Sequence, residues 1–195
     1  MKRPNDWDTV KPYEERKAIT PGGYVCEVKH VEETFNKNGG EMIVVKFDVA
    51  EGEFKGYFFD EFTNKKSNDV NAKWPYQGTK WINVVGFNGG TNRTLKAFVN
   101  AVEAENVRID NGRELVFARA KGAKIGVVFR DEEAESMTGG TYWRAVPNYF
   151  CTAEDIRTGN FRVPKKIELK QEQSKPAPAS AEPFGFAETN EEIPF

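Results

Sequence analysis

The sequence predicts a mainly β domain in which three strands, one helix and two further strands follow one another along the chain. Aromatic residues make up 13% of the 195 residues, a high share that is typical of a β-rich fold or of a stacking surface. Several segments alternate apolar and polar side chains with a period of two, which indicates strands with one buried face. Glycine-rich turns separate these segments at 22–23, 39–40 and 139–140.

The first two predicted strands form a hairpin. After a turn at 21–23, apolar residues alternate with charged ones at Tyr24, Cys26 and Val28. After a second turn at 38–40, the alternation resumes, and its apolar face carries Ile43, Val45, Phe47 and Val49. A turn at 51–53 then leads into a third predicted strand over 57–62.

An irregular stretch is expected over 63–80, and a helix over 91–106. Four apolar residues of the second segment have the i, i+3, i+4, i+7 spacing of one helical face, namely Leu95, Phe98, Val99 and Val102. Glycines at 89–90 interrupt the chain before this segment, and Thr91 or Asn92 can cap its first turn.

Two more strands are predicted after the helix. Ile125, Val127 and Phe129 alternate with more polar positions, and a strand over 142–146 follows the turn at 138–140. Residues 163–169 predict a last short strand. This order is that of the OB-fold, a five-stranded, partly open barrel with one helix between strands 3 and 4, whose sheet face and loops bind oligonucleotides. Other small β-barrels share this order of elements, so the OB-fold prediction depends on the order and the C-terminal tail together.

The predicted domains are a loose N-terminal segment over 1–20, an OB-fold nucleic-acid-binding domain over 21–167, and a disordered linker with an acidic protein-docking tail over 168–195. Trp7 and Tyr13 of the first segment can dock on the domain. The tail includes a stretch over 171–181 without any large apolar residue, which cannot bury enough surface to fold. Its alternating Pro and Ala favour an extended spacer.

The last five residues differ from this spacer in composition. They combine two carboxylates, a proline and two apolar side chains, in the order Glu191, Glu192, Ile193, Pro194 and Phe195. This tip resembles the acidic tail that ends bacterial single-stranded DNA-binding proteins. The resemblance implies that the tip docks onto replication and recombination proteins. A merely disordered end is the alternative, but it does not explain the apolar residues at the terminus.

A second resemblance covers 20–150. It depends on three short sequence segments: Gly22-Gly23-Tyr24 at the first strand, 39–43 at the second strand, and 51–57 after the second strand. These segments resemble those of phage proteins of the single-stranded DNA-binding type. The resemblance implies a protein that coats single strands during phage replication, recombination and repair.

The net charge of −2 is unusual for a DNA-binding protein, but its distribution is uneven. Six acids and two lysines give the segment from Glu168 onward a charge of −4, which leaves +2 on the rest of the chain. The total therefore neither supports nor excludes nucleic-acid binding.

The best candidates for DNA binding lie over 63–81, where four lysines interleave with aromatic residues. Single strands are held by cations along the phosphates and by rings under the bases. These candidates are Lys65, Lys66, Lys73, Lys80, Trp74, Tyr76 and Trp81. The alternative is a loop that its aromatic rings pin to the core.

The sheet offers a second set of candidates. If Val45, Phe47, Val127 and Phe129 point inward, their charged neighbours point outward, and two loop cations and two residues of the fifth strand complete one groove. This set is Lys46, Arg119, Lys121, Lys124, Arg130, Tyr142 and Arg144. Solvated charges on an exposed sheet face are the alternative.

Catalysis is not expected. The chain has one histidine, His30, and lacks a glycine-rich phosphate loop. Cys26 and Cys151 have no metal-ligand spacing, so we expect buried thiols, no metal and no cofactor. Asp60-Glu61 and the acids at 131–133 keep a Mg²⁺-dependent nuclease as a weaker alternative.

No signal peptide and no apolar run of membrane-spanning length occurs, which predicts a soluble protein of the cytoplasm, or of the host cell cytoplasm for a phage protein, without membrane contact. We therefore predict a single-stranded DNA-binding protein without strong sequence preference. An RNA-binding or strand-annealing OB protein and a pure protein adaptor stay open, as does assembly into a homo-oligomer.

Overall fold

The computed structural model describes residues 2–3, 5, 7–8 and 17–169, and these contain one five-stranded antiparallel sheet. Its strands are β1 (Gly22–Phe35), β2 (Glu41–Val49), β3 (Thr79–Asn83), β4 (Lys124–Glu135) and β5 (Thr141–Cys151). Their order in the sheet is β3-β2-β1-β4-β5. The mainly β prediction is confirmed. Residues 170–195 of the tail predicted over 168–195 lie outside the described residues, as does Tyr13, whereas Trp7 is exposed.

The long strand β1 serves two neighbours. Its first residues, from Gly22 to Glu27, pair with β4, and the part from Cys26 to Phe35 pairs with β2. A register shift between Val28 and His30 bends the strand within its pairing with β2. One strand thereby joins both halves of the sheet and curls it around a common core.

The prediction of a third strand over 57–62 is wrong, because this segment begins the helix α1 (Tyr57–Asn68). Two local features start the helix. Gly56 has φ +79°, a conformation that favours glycine, and the buried carboxylate of Asp48 accepts a hydrogen bond from the backbone N–H of Phe58 at 2.9 Å. An acceptor at a helix N-terminus satisfies N–H groups that the helix itself leaves free. The third strand of the sheet is β3, which begins 22 residues after Tyr57.

The predicted irregular stretch over 63–80 is correspondingly only partly right. It contains the end of α1, a 3-10 helix at Tyr76–Gly78 and the start of β3. The predicted helix over 91–106 is confirmed as α2 (Arg93–Glu103), and its N-cap is Asn92, whose side chain accepts from the backbone N–H of Thr94 at 2.8 Å. Its predicted apolar face is buried against the sheet.

The two edges of the sheet, β3 and β5, approach one another. Gln77 Nε2 donates to the backbone oxygen of Ala145 at 2.7 Å, and Lys80 Nζ donates to that of Pro147 at 2.8 Å. We call this line of contact the seam. The side chain of Lys80 thus links β3 to β5, and that of Gln77 links the 3-10 helix before β3 to β5.

Aromatic rings fill the middle of the core. Phe47 of β2, Phe58 of α1 and Phe129 of β4 are fully buried, and each pair of their ring centroids is 6.0 to 6.3 Å apart. The segment that precedes β1 contributes as well, because Ile19 belongs to the same buried cluster.

A third helix, α3 (Ala153–Thr158), covers the outer face of β1 and β4. Its Ile156 lies so close to Gly23 and Gly126 that a Cβ at either glycine would stand 2.7 Å from it. The predicted last strand over 163–169 is reduced to one parallel bridge between Ile167 and Glu132.

Candidate nucleic-acid interface

An open groove of about 990 Å³ lies on the outer face of β1, β2 and β3. The strands supply its floor, and the end of α1 and the segment before β3 supply its wall. The floor consists of His30, Glu32, Thr34, Met42, Val44, Lys46, Thr79 and Trp81, and the wall of Phe62, Ala72, Lys73, Trp74 and Tyr76.

Alternation along β2 explains why its side chains face the groove. Val45 and Phe47 are fully buried in the core, so Lys46 between them faces the opposite side, as the sequence indicates. The Nζ atom of Lys46 lies 3.4 Å from the Glu32 carboxylate on the neighbouring strand. Glu32 therefore partly neutralises this groove lysine.

Tyr76 and Trp81 form an exposed aromatic pair in the groove. Their ring centroids are 5.2 Å apart, with exposed fractions of 54% and 45%. The guanidinium carbon of Arg144, on β5, lies 4.9 Å from the centroid of the Tyr76 ring. Exposed rings with a neighbouring cation are the arrangement that binds unpaired bases and their phosphates.

Trp74 has a different environment. Its ring is half-buried against Phe62 at 5.5 Å, and its Nε1 donates to the backbone oxygen of Gly78 at 3.0 Å. A Cβ at Gly78 would stand 2.7 Å from that Nε1 atom. Trp74 is therefore packed into the wall of the groove, whereas Tyr76 and Trp81 present ring surface to solvent.

Three of the predicted cations meet at the seam: Lys80, Arg130 and Arg144. Glu132 contacts both arginines, Arg144 at 3.3 Å and Arg130 at 3.8 Å. Burial lowers the pKa of Lys80, and the positive charge of Arg130 lowers it further, while Glu132 opposes the change. The Nε atoms of both arginines are buried and have no hydrogen-bond partner among the described residues.

Two predicted lysines lie on α1, beside the groove. Lys65 forms an ion pair with Glu61 at 2.6 Å, and the ammonium of Lys66 lies 5.7 Å from the Phe62 ring centroid. Tyr142 lies on β5 and is about half exposed.

The structure does not bring the other predicted cations into the groove. Arg119 follows α2 and contacts the backbone oxygen of Arg108 at 3.5 Å, and Lys121 is exposed in the next turn. Lys124, at the start of β4, pairs with Glu51 at 2.9 Å. The outer face of β4 between Lys124 and Arg130 is covered by α3, which the sequence analysis did not predict.

Glu51 joins α3 to the sheet. Its carboxylate accepts from Arg157 of α3 at 2.8 Å and from Lys124 at 2.9 Å. The hydrogen bonds from Arg157 and Lys124 lower the pKa of Glu51 to about 2, and the one from Arg157 has the larger effect. The Lys124 charge is thus occupied in a structural ion pair.

Three of the acids that could bind Mg²⁺ in a nuclease contact other side chains. Glu61 and Glu132 are paired with cations, and Glu133 accepts from the Thr141 hydroxyl at 2.6 Å. In the described part of the chain, no three metal-ligating side chains of His, Cys, Asp or Glu come together. Within the same ranges, no helix is both long and apolar enough to cross a bilayer.

Sequence reasoning missed several residues of this interface. Val44 and Phe62 line the groove, Gln77 fixes the seam, and Glu32 and Glu132 hold the cations. The alternation of β2 could have identified Val44, since it lies between two core residues. The position of Gln77 depends on a contact with a residue 68 positions away, for which the sequence holds no local signal.

Comparison with known protein families places the chain in a family. No curated protein matches the chain. The model of the family described as "Protein of unknown function (DUF669)" matches residues 6–128, which is well over half of the chain and extends from the N-terminal segment into β4. The chain therefore belongs to the DUF669 family.

Proposed function

We propose that this protein binds single-stranded DNA without strong sequence preference and is not an enzyme. The observation that carries the proposal is the exposed Tyr76–Trp81 pair in a groove with lysines on both sides of it. Lys46 lies on the floor and Lys73 on the wall, and Arg144 adds a cation beside Tyr76. Stacking on such rings tolerates every base, because every base has a π-face.

The proposal includes an OB-fold barrel. The sheet order β3-β2-β1-β4-β5 brings the two edge strands to the seam, and α2 lies between β3 and β4 in the chain, as the OB-fold requires. The groove on β1, β2 and β3 then corresponds to the sheet face with which OB-folds bind oligonucleotides.

A titration of labelled oligonucleotides tests the proposed function. We expect oligo(dT) to bind and the matching duplex to bind far more weakly, because paired bases cannot reach the rings. We expect Lys46, Lys73 and Arg144 each to neutralise one phosphate. Each neutralised phosphate contributes roughly −0.7 to the slope of log K against log salt concentration, so the slope should be about −2. Fluorescence anisotropy at several salt concentrations measures both quantities. Equal affinity for duplex and single strand would contradict the proposal, and tighter binding of oligo(U) would favour the RNA alternative.

We further propose that the tip over 191–195 recruits replication and recombination proteins in a phage-infected host. A terminal aromatic residue with nearby carboxylates suits an apolar pocket with a basic rim. Deleting these five residues should abolish capture of such proteins from a host-cell extract and leave the oligo(dT) affinity of the protein unchanged. Undiminished capture by the truncated protein would refute the docking role, and lost oligo(dT) binding would show that the tip acts on the groove instead.

A further inference from the structure

Tyr76 separates the groove from a second cavity. The groove holds Trp81 on one side of Tyr76, and a cavity of about 610 Å³ holds Tyr142, Trp143 and Arg144 on the other. We propose that this second cavity is a further subsite for the same single strand, which continues past Tyr76 and across the seam onto β5. This inference rests on the proposed function.

The second cavity, like the groove, is lined by exposed aromatic rings. Tyr142 and Trp143 expose 48% and 43% of their surface, values close to those of Tyr76 and Trp81. Successive side chains of a strand point to opposite faces, so Tyr142 shares its face of β5 with Arg144, which lies against Tyr76, and Trp143, with Lys166 at 4.5 Å from its ring centroid, does not. Tyr142 is therefore the ring that we assign to base stacking in this subsite.

The charge around the seam suits a phosphate. Glu132 is shared by Arg130 and Arg144, so one carboxylate faces two guanidinium groups, and Lys80 adds a third cation to the same cluster. Asp131 also lines the cavity, whereas Glu61 and Lys65 pair with one another. The three cations outnumber Glu132 and Asp131, so the cluster at the seam carries a net positive charge, and Arg144 is the one of the three that lines the cavity itself.

The geometry of the seam makes the path continuous. Gln77, the neighbour of Tyr76, is hydrogen-bonded to the backbone of Ala145, which follows Arg144. Lys80, the neighbour of Trp81, is hydrogen-bonded to Pro147. These two bonds hold the ring pair directly beside β5. A strand that leaves Trp81 over Tyr76 therefore meets Arg144 and then Tyr142.

A length series of oligo(dT) tests the subsite. In the wild type, affinity should rise with length until both cavities are filled, within the roughly 4–16 nucleotides that one OB-fold covers. Tyr142→Ala, at an exposed position that lines the second cavity and not the groove, should bind the shortest oligonucleotides like the wild type. It should bind the long ones about fivefold or more weakly, the equivalent of one lost stacking contact. The matched control Phe87→Ala removes an exposed ring from another loop and should change nothing.

The outcomes separate the two proposals. If Tyr142→Ala gains as much affinity with length as the wild type, the subsite is refuted and the proposed function stands. A loss that is equal at all lengths would also overturn the subsite, because it would place the effect of Tyr142 on the bases that the groove itself binds. If the wild type binds no oligonucleotide of any length, the proposed function itself fails.

Discussion

Replacing Phe58 by alanine is expected to lower the free energy of unfolding by about 3–5 kcal/mol, the usual cost of removing a large buried aromatic side chain. Phe58 is the one fully buried side chain of α1, and its ring lies against those of Phe47 and Phe129. Its loss would leave a cavity between the helix and both halves of the sheet. Urea denaturation followed by far-UV circular dichroism measures the change.

The matched control is the neighbouring residue, Phe59, which is 53% exposed. We expect Phe59→Ala to change the stability by no more than about 0.5 kcal/mol, as is usual for surface positions. Similar losses in both variants would contradict the placement of α1, because they would require both neighbouring rings to be buried.

Replacing Trp81 by alanine is expected to weaken the binding of oligo(dT) by about 1–3 kcal/mol, the contribution of one base stacked on an aromatic ring. Trp81 lies on β3 with its ring exposed on the groove floor, next to Tyr76. Its loss removes a stacking surface without opening the core, so the melting temperature should change little. Fluorescence anisotropy with a labelled oligonucleotide gives the affinity.

Phe87→Ala is the control for this variant, because Phe87 is a fully exposed aromatic residue in the loop between β3 and α2 and does not line the groove. Its affinity should equal that of the wild type. The assignment of Trp81 would be refuted if its alanine variant bound like the wild type while remaining folded.

The predicted strands with a regular period of two agree with the structure. In β2, Ile43, Val45 and Phe47 face the core as their spacing indicates, and in β4 the same holds for Ile125 and Val127. The helix α2 was recognisable for the same reason, since its buried face follows the helical period. In each case one face of the element packs on the core, and local spacing reports that burial directly.

The sequence misled where tertiary contacts decide the local structure. The aromatic residues at 57–59 resemble those of a strand, but a buried carboxylate from β2 and a left-handed glycine start a helix there. The short strand β3 has only five residues, and its pattern was obscured by polar and aromatic residues that serve the groove. The hydrophobic periodicity of an element is weaker where its side chains line a surface site instead of packing on the core.

The lysines interleaved with aromatic rings over 63–81 predicted DNA-binding residues, and the structure brings Lys73, Trp74, Tyr76 and Trp81 together along one groove. Their role in DNA binding stays a prediction. Which rings are free to stack depends on packing, and Trp74 is held by Gly78 and Phe62. The position of Lys124 likewise depends on α3, whose partner Glu51 lies 106 residues before Arg157.

The central claim is that bases stack on the Tyr76–Trp81 pair, and intrinsic fluorescence tests it most directly. The chain has four tryptophans, and we expect poly(dT) to quench their combined emission on binding. In Trp81→Phe, which keeps a ring at this position, binding should persist while most of the quenching disappears. The same quenching in this variant as in the wild type, with equal binding, would show that the bases contact other rings and would contradict the claim.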